Sequence, residues 1–186
     1  MIAPPADVSR IVYMGTPEMA VTPLDALEEG GYDIVLVVTR PDAKRGRGGA
    51  VSPSPVKRAA QDLGLAVSHD VDDALGVNAD LGVVVAFGQI IKPHVLDNLA
   101  MINMHFSLLP RWRGAAPVER AILAGDAATG VCIMVLEEEL DVGAIYRRVE
   151  VAIPQAITVG QPRRDLVDAG SSLLIDALAA GPGTPA

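Results

Sequence analysis

Cysteine is almost missing from this chain: Cys132 is the single one among 186 residues. That excludes an intrachain disulfide framework and leaves the thiol as a small apolar side chain within the run 131–136. Apolar runs such as 83–87 and 131–136 fall far short of the roughly 20 residues that a membrane-spanning helix needs. Residues 1–9 hold two prolines and an aspartate but no apolar core of a secretion signal, so a soluble, cytoplasmic protein with no membrane partner is expected. Basic charge is also scarce. Fifteen Lys and Arg stand against 23 Asp and Glu, a net charge of -8, which argues against a surface that binds polyanions all over. Of the three histidines, His69 and His94 have no cysteine or carboxylate at metal-ligand spacing. Both read as structural or surface residues, and no metal site is expected. The turn Gly15-Thr16-Pro17 lacks the G-x-G-x-x-G pattern of dinucleotide folds, which argues against NAD. No internal repeat is visible.

What is present fits one α/β domain. Hydrophobic residues make up 50% of the chain, enough at this length for one sizeable core, whereas two full domains would be crowded. Residues 10–14 and 32–39 read as buried strands joined by a helix over 18–29, which the Gly30-Gly31 pair ends. Two strands around a helix make a right-handed βαβ unit in a parallel sheet. Ser54 as N-cap, with Pro55 at the first helical position, opens a helix that Gly64 stops. Further strands are expected at 81–87, with a weak one at 66–69 beside it, at 101–105, at 130–136 and at 144–151. Helices are expected over 117–124 and from the capping box Thr158-Val159-Gly160-Gln161 to about 180. The layout is a tail at 1–9, a domain over 10–180 and a frayed end at 181–186.

Chemistry concentrates around position 103. The chain reads Asn103-Met104-His105-Phe106-Ser107-Leu108-Leu109-Pro110 and, further on, Leu140-Asp141-Val142-Gly143. In an extended strand Asn103 and His105 face one space and Met104 the other. Pro110, Gly114 and Pro117 constrain residues 107–116, so the pair sits at the carboxyl end of a strand, where open α/β sheets place their ligands. An amide, an imidazole and a carboxylate suit the transfer of an acyl group between nitrogens: one donor for the tetrahedral oxyanion and a relay for the proton. Each alone has an ordinary reading too: Asn103 as a turn cap, His105 as a hydrogen-bonded near-surface residue, Asp141 as a turn residue.

The stretch 103–143 resembles the formyltetrahydrofolate-dependent formyltransferase superfamily in its Asn-x-His pair, its Ser-Leu-Leu-Pro loop and its Leu-Asp-x-Gly. The continuation Arg111-Trp112-Arg113-Gly114-Ala115-Ala116-Pro117, then Ala121-Ile122-Leu123-Ala124-Gly125-Asp126, is similar to the methionyl-tRNA formyltransferase branch. So are Met14-Gly15-Thr16-Pro17-Glu18 and the loop from Arg40-Pro41-Asp42 through Arg45-Gly46-Arg47-Gly48 to Ser52-Pro53-Ser54-Pro55-Val56-Lys57. The likeness covers about 11–178. It implies a Rossmann-like, mostly parallel sheet with helices on both faces, and a cytoplasmic transferase of translation initiation that uses 10-formyltetrahydrofolate as formyl donor, without metal or NAD.

On that resemblance Asn103, His105 and Asp141 are the catalytic residues. The acceptor amine attacks the formyl carbon, and Asn103 donates a hydrogen bond to the oxyanion, a contribution of roughly 3 to 4 kcal/mol to the barrier. His105 adds a second donor when protonated. Asp141, through a water, relays the proton from the amine to N10 of the leaving folate. The folate would lie along Phe87, Gly88, Gln89 and Ile90, by the loop Ser107, Leu108, Leu109 and Pro110, and against Leu136 and Leu140. Gly88 would let backbone groups approach the flat ring. Core packing is the other reading of Phe87 and Ile90.

Arg40, Lys44, Arg45 and Arg47 fall within eight residues and are opposed only by Asp42, which reads as a mobile basic loop. The resemblance makes it a docking element for the acceptor stem of initiator methionyl-tRNA. Two residues depart from the branch: Glu139 where it has Gly and Val142 where it has Thr. The branch also carries a further β-barrel domain that is expected to be absent here, so weak tRNA binding is expected. Two other classes remain open: formylation of a small amine such as glycinamide ribonucleotide or an amino sugar nucleotide, and a non-catalytic folate-binding module. The run 111–117 and the basic loop weigh against the first, and the intact trio against the second.

Overall fold

The computed structural model describes residues 2–45, 49–154 and 160–181. Among these residues the strands are β1 (Arg10–Gly15), β2 (Asp33–Val38), β3 (Ala43–Arg45), β4 (Ala50–Ser52), β5 (Val67–Ser68), β6 (Leu81–Val85), β7 (Met101–His105), β8 (Ala128–Val135) and β9 (Ile145–Ala152). The helices are α1 (Val21–Glu29), α2 (Pro55–Asp62), α3 (Pro93–Leu96), α4 (Pro117–Leu123) and α5 (Gly160–Ala179). Seven strands join in one sheet in the order β5-β2-β1-β6-β7-β8-β9. Pairing is parallel from β5 to β7 and antiparallel from β7 through β9.

The central strands are apolar throughout because both faces of the sheet are covered, the usual condition of a parallel sheet. On β1, Ile11 and Tyr13 enter a core with Leu24 and Leu27 of α1, Ala60 of α2 and Leu166 and Leu174 of α5. Val12 and Met14 enter the opposite core with Leu36 of β2, Val95 and Leu96 of α3, Leu99 and Phe87. Each large aliphatic side chain so buried contributes about 1.5–3 kcal/mol before entropy is counted. The chain leaves β1 toward β2 on one side and leaves β6 toward β7 on the other, so the connections part between β1 and β6 at their carboxyl ends. In such sheets that crevice is where ligands sit.

Several expected elements take a different form. The helix expected from 18 begins as a 3-10 turn, Glu18–Ala20, and turns α-helical only at Val21. The strand expected to reach 87 stops at Val85, because Ala86 adopts a left-handed φ of 46°. The weak strand at 66–69 shrinks to Val67–Ser68 and pairs with β2 at the sheet edge, not with β6, whose neighbours are β1 and β7. The basic segment, expected as a loop, pairs Ala43 with Ser52 and Arg45 with Ala50 in an antiparallel hairpin. The α2 start is as read: Ser54 Oγ accepts from the Lys57 N–H at 2.9 Å, with Pro55 next. Thr158 and Val159 of the expected capping box lie outside the described residues, as do Arg47 and 182–186.

Candidate active site

Alternation along β7 does what the sequence implied. Met104 points into the core shared with α5, while Asn103 and His105 share the other side. There they meet Asp141. Asn103 Nδ2 donates to Asp141 Oδ1 at 3.4 Å, and His105 Nδ1 lies 3.6 Å from Asp141 Oδ2. His105 and Asp141 are each only 6% exposed, so both groups act in a medium far less polar than water. Three residues separated by up to 38 positions therefore form one cluster.

A tight turn between β7 and α4 closes this cluster from above. Trp112 has φ 63° and Gly114 φ 82°. The turn presents two backbone groups to the site: the Trp112 carbonyl accepts from His105 Nε2 at 3.1 Å, and the Gly114 N–H donates to Asp141 Oδ2 at 2.7 Å. Left-handed φ is unusual for a tryptophan and natural for a glycine. Asp141 itself sits at φ 51°, a conformation that Asp tolerates better than most residues. Two residues on, a Cβ on Gly143 would stand 2.1 Å from the Val135 carbonyl oxygen, so only glycine lets the chain pass β8 after delivering Asp141.

The loop after β6 supplies a second wall. Thr16 Oγ1, at the end of β1, donates to the Phe87 carbonyl at 2.9 Å and ties the first turn of the fold to this loop. Phe87 is 3% exposed within the core that also receives Leu136, so its ring is packing, and its carbonyl is taken by Thr16. Gly88 (φ 73°) and Gln89 are exposed, and Ile90 and Leu140 are apolar side chains at 90% and 66% exposure. Of the loop 107–110, Ser107 is buried and its Oγ donates to the Arg111 carbonyl at 2.7 Å. Leu109 packs with Cys132 and Met134, where burial pushes the Cys132 thiol up. Pro110 is exposed. Leu108 lies over Gly130 and lines a separate cleft of about 230 Å³ with Arg111, Trp112, Asp126 and Thr129. Leu109 thus serves packing, while Leu108 is half-buried at that cleft. The departures noted in the sequence sit at the rim, Glu139 exposed and Val142 half-buried.

The basic segment follows β2 and includes β3. Arg40 and Lys44 are exposed, and Arg45 closes β3. Asp42, read as the opposing charge, is taken by Lys57 of α2 at 2.7 Å. Lys57 Nζ also lies 3.5 Å from His69 Nε2, whose Nδ1 lies 2.8 Å from the Thr39 carbonyl. His69 is therefore structural, tethering the hairpin's base. His94 pairs with Asp72 at 2.8 Å on the surface. No group of three His, Cys, Asp or Glu arranged to hold a metal occurs among the described residues, and no described helix is long and apolar enough to cross a membrane.

The backbone clamp at Trp112 and Gly114, the Thr16 tie and Asp126 were not read from the sequence. The Arg113-Gly114 step was the available signal, since a turn that needs positive φ draws glycine.

Comparison with known proteins bears on the family and the fold. The family model described as Formyl transferase matches residues 9–178. The methionyl-tRNA formyltransferase of Heliobacterium modesticaldum is 44% identical over 180 residues, covering 92% of this chain and 57% of the relative. That of Roseobacter denitrificans is 46% identical over 180 residues, covering 91% and 59%. The chain thus spans somewhat under three fifths of the length of these relatives. Among solved structures, phosphoribosylglycinamide formyltransferase from Streptococcus pneumoniae superposes with a TM-score of 0.76 at 17% identity, covering 93% of this chain and 98% of that one. The Bacillus halodurans enzyme of the same name gives 0.72 at 20% identity, covering 91% and 93%. At such identities the likeness shows the fold alone. A domain matched almost end to end, with relatives above 40% identity, leaves one assignment: the chain belongs to the formyl transferase family.

Proposed function

We propose that this chain transfers a formyl group from 10-formyltetrahydrofolate to the amino group of methionyl-tRNA. The observation that carries the reading is the meeting of Asn103, His105 and Asp141 in one nearly dry cluster at the carboxyl end of β7. The Asn103 amide is the donor for the oxyanion that forms as the amine attacks the formyl carbon. His105 and Asp141 move the proton from the attacking nitrogen toward N10 of the leaving folate. The folate lies along the exposed residues Gly88 and Gln89 that follow the buried Phe87, with Ile90, Leu136 and Leu140 as its apolar surroundings. Arg40, Lys44, Arg45 and Arg47 meet the phosphates of the acceptor stem. Similarity to methionyl-tRNA formyltransferases at 44–46% identity supports methionyl-tRNA over a small amine as the acceptor.

The test is to incubate the full chain with 10-formyltetrahydrofolate and either methionyl-tRNA or glycinamide ribonucleotide, following tetrahydrofolate release. Release with methionyl-tRNA alone supports the proposal. Release with glycinamide ribonucleotide alone overturns the choice of acceptor, and release with neither, from folded protein, overturns the activity.

A further inference from the structure

His105 has two ring nitrogens, and the reaction needs a defined one of them to face Asp141. A carbonyl oxygen only accepts, so the Trp112 carbonyl at 3.1 Å requires that Nε2 carry its proton. Nδ1, 3.6 Å from Asp141 Oδ2, is then the nitrogen free to gain and lose a proton beside the carboxylate. This tautomer depends on where the Trp112 carbonyl points. That carbonyl is aimed by a left-handed tryptophan, a conformation that persists only where surroundings hold it.

What holds it is on the far side of the turn. Trp112 Nε1 donates to Asp126 Oδ2 at 2.6 Å. The neighbouring Arg111 donates to the same carboxylate twice, Nε to Oδ2 at 2.9 Å and a terminal nitrogen to Oδ1 at 2.7 Å. The Arg111 and Arg120 guanidinium groups lie 4.2 and 5.0 Å from the centre of the indole ring. Asp126 follows Gly125, which has φ 72°, in the turn between α4 and β8. From there it accepts three hydrogen bonds from two consecutive residues of the clamp. Those from Arg111 and then Trp112 hold its carboxyl below the usual range.

We propose that Asp126 is a positioning residue for His105: by anchoring the Trp112 indole it aims the Trp112 carbonyl and fixes the imidazole as the Nε2–H tautomer. The role rests on the proposed transfer reaction, in which His105 handles the proton, but the tautomer can be read without turnover.

The experiment is 15N NMR of the His105 ring in the full chain near neutral pH, beside steady-state transfer to methionyl-tRNA. Two variants separate the link from simple misfolding. Asp126→Ala removes the anchor, and Trp112→Phe removes the indole N–H while keeping an aromatic ring, though a smaller one, beneath Arg111 and Arg120 and leaving Asp126 and Arg111 themselves unchanged. Both are expected to turn a single Nε2–H form into a mixture with Nδ1–H. Both should lower kcat by roughly ten- to a hundredfold, as small misplacements of catalytic groups do, with KM for the folate donor nearly unchanged. Asp126→Asn keeps an oxygen for Nε1 and should restore most of the Nε2–H form. A single Nε2–H form in folded Trp112→Phe, or an Nδ1–H form in the unmodified protein, would overturn the proposal. Should Asp126→Ala fail to fold, Trp112→Phe decides. Absence of turnover in the unmodified chain would count against the proposed function, and the tautomer would still decide the role of Asp126.

Discussion

His105 and Asp141 are almost buried and reached by backbone or side-chain groups from neighbouring segments, while Arg40 and Lys44 stand in solvent, Lys44 on β3 of a short hairpin held at its base by Asp42 and Lys57. The two regions hold their working groups in opposite ways. At the end of β7, burial and left-handed turns narrow the positions these groups can take, as the proton transfer and oxyanion stabilisation of the proposed reaction would require. At the hairpin the proposed working quantity is charge, and attraction to a polyanion would tolerate movement of the charges by several ångström. Lys57 sharpens this division, because by pairing with Asp42 it removes the acid that would otherwise offset the hairpin's cations. Substitutions in the first region should therefore change rate, and those in the second affinity.

The largest effect expected is on turnover. His105→Ala and Asp141→Asn should each lower kcat on the order of a hundredfold or more, with thermal unfolding little changed. Asparagine suits position 141 because it tolerates the φ of 51° found there. Wild-type kcat in either variant would break the comparison on the catalytic side. Next is stability. Gly143→Ala places a Cβ 2.1 Å from the Val135 oxygen and should cost about 1–3 kcal/mol in urea unfolding as the backbone shifts, whereas Lys44→Ala should stay within about 0.5 kcal/mol. Equal costs would mean that the hairpin is as tightly built as the site.

Affinity comes third. Arg40→Ala with Lys44→Ala should weaken methionyl-tRNA binding and flatten its dependence on salt by a slope of about one for each phosphate no longer neutralised, with folate affinity unchanged. Salt-insensitive binding would exclude the hairpin from tRNA recognition. The smallest effect is at low pH. Hydrogen bonds from the Arg10 and Ser9 N–H groups hold the Asp80 carboxyl below its ordinary range. An unfolded carboxyl titrates near 3.9, as model peptides do. The stabilisation is therefore present above about pH 4 and lost as pH falls through the lower folded value. Asp80→Asn should lower stability slightly at neutral pH and flatten the acid limb; an acid limb identical to wild type would contradict this.

The strand at 101–105 was legible because alternation fixes which side chains share a face and because a Pro- and Gly-rich stretch stops the strand, whereas Asp141 stood out only through the likeness of Leu140-Asp141-Val142-Gly143 to the family's Leu-Asp-x-Gly. The α2 start was legible from Ser54 and Pro55, whose capping is local. What failed to show was set by distant partners. Phe87 reads equally well as pocket or core, and only the packing of Met14, Leu36, Val95 and Leu96 around it decides for core. The end of β6 at Val85 depends on the turn at Ala86, which carries no glycine to announce it. The hairpin hides in a segment rich in charge and glycine, where pattern gives no strand signal. Asp126 and the Trp112 carbonyl escaped because one acts through a turn and the other through the backbone, which leaves no residue-type signature.

The division between the two regions is tested most directly by single-turnover formyl transfer with saturating folate, in Asn103→Ala and in the Arg40→Ala, Lys44→Ala variant, across a range of methionyl-tRNA concentrations. Asn103→Ala should lose on the order of a hundredfold or more in the maximal rate with half-saturation by tRNA unchanged, as loss of an oxyanion donor does, and the hairpin variant should keep its maximal rate but need more tRNA. A lowered maximal rate in the hairpin variant, or an Asn103→Ala protein limited only by tRNA affinity, would contradict it.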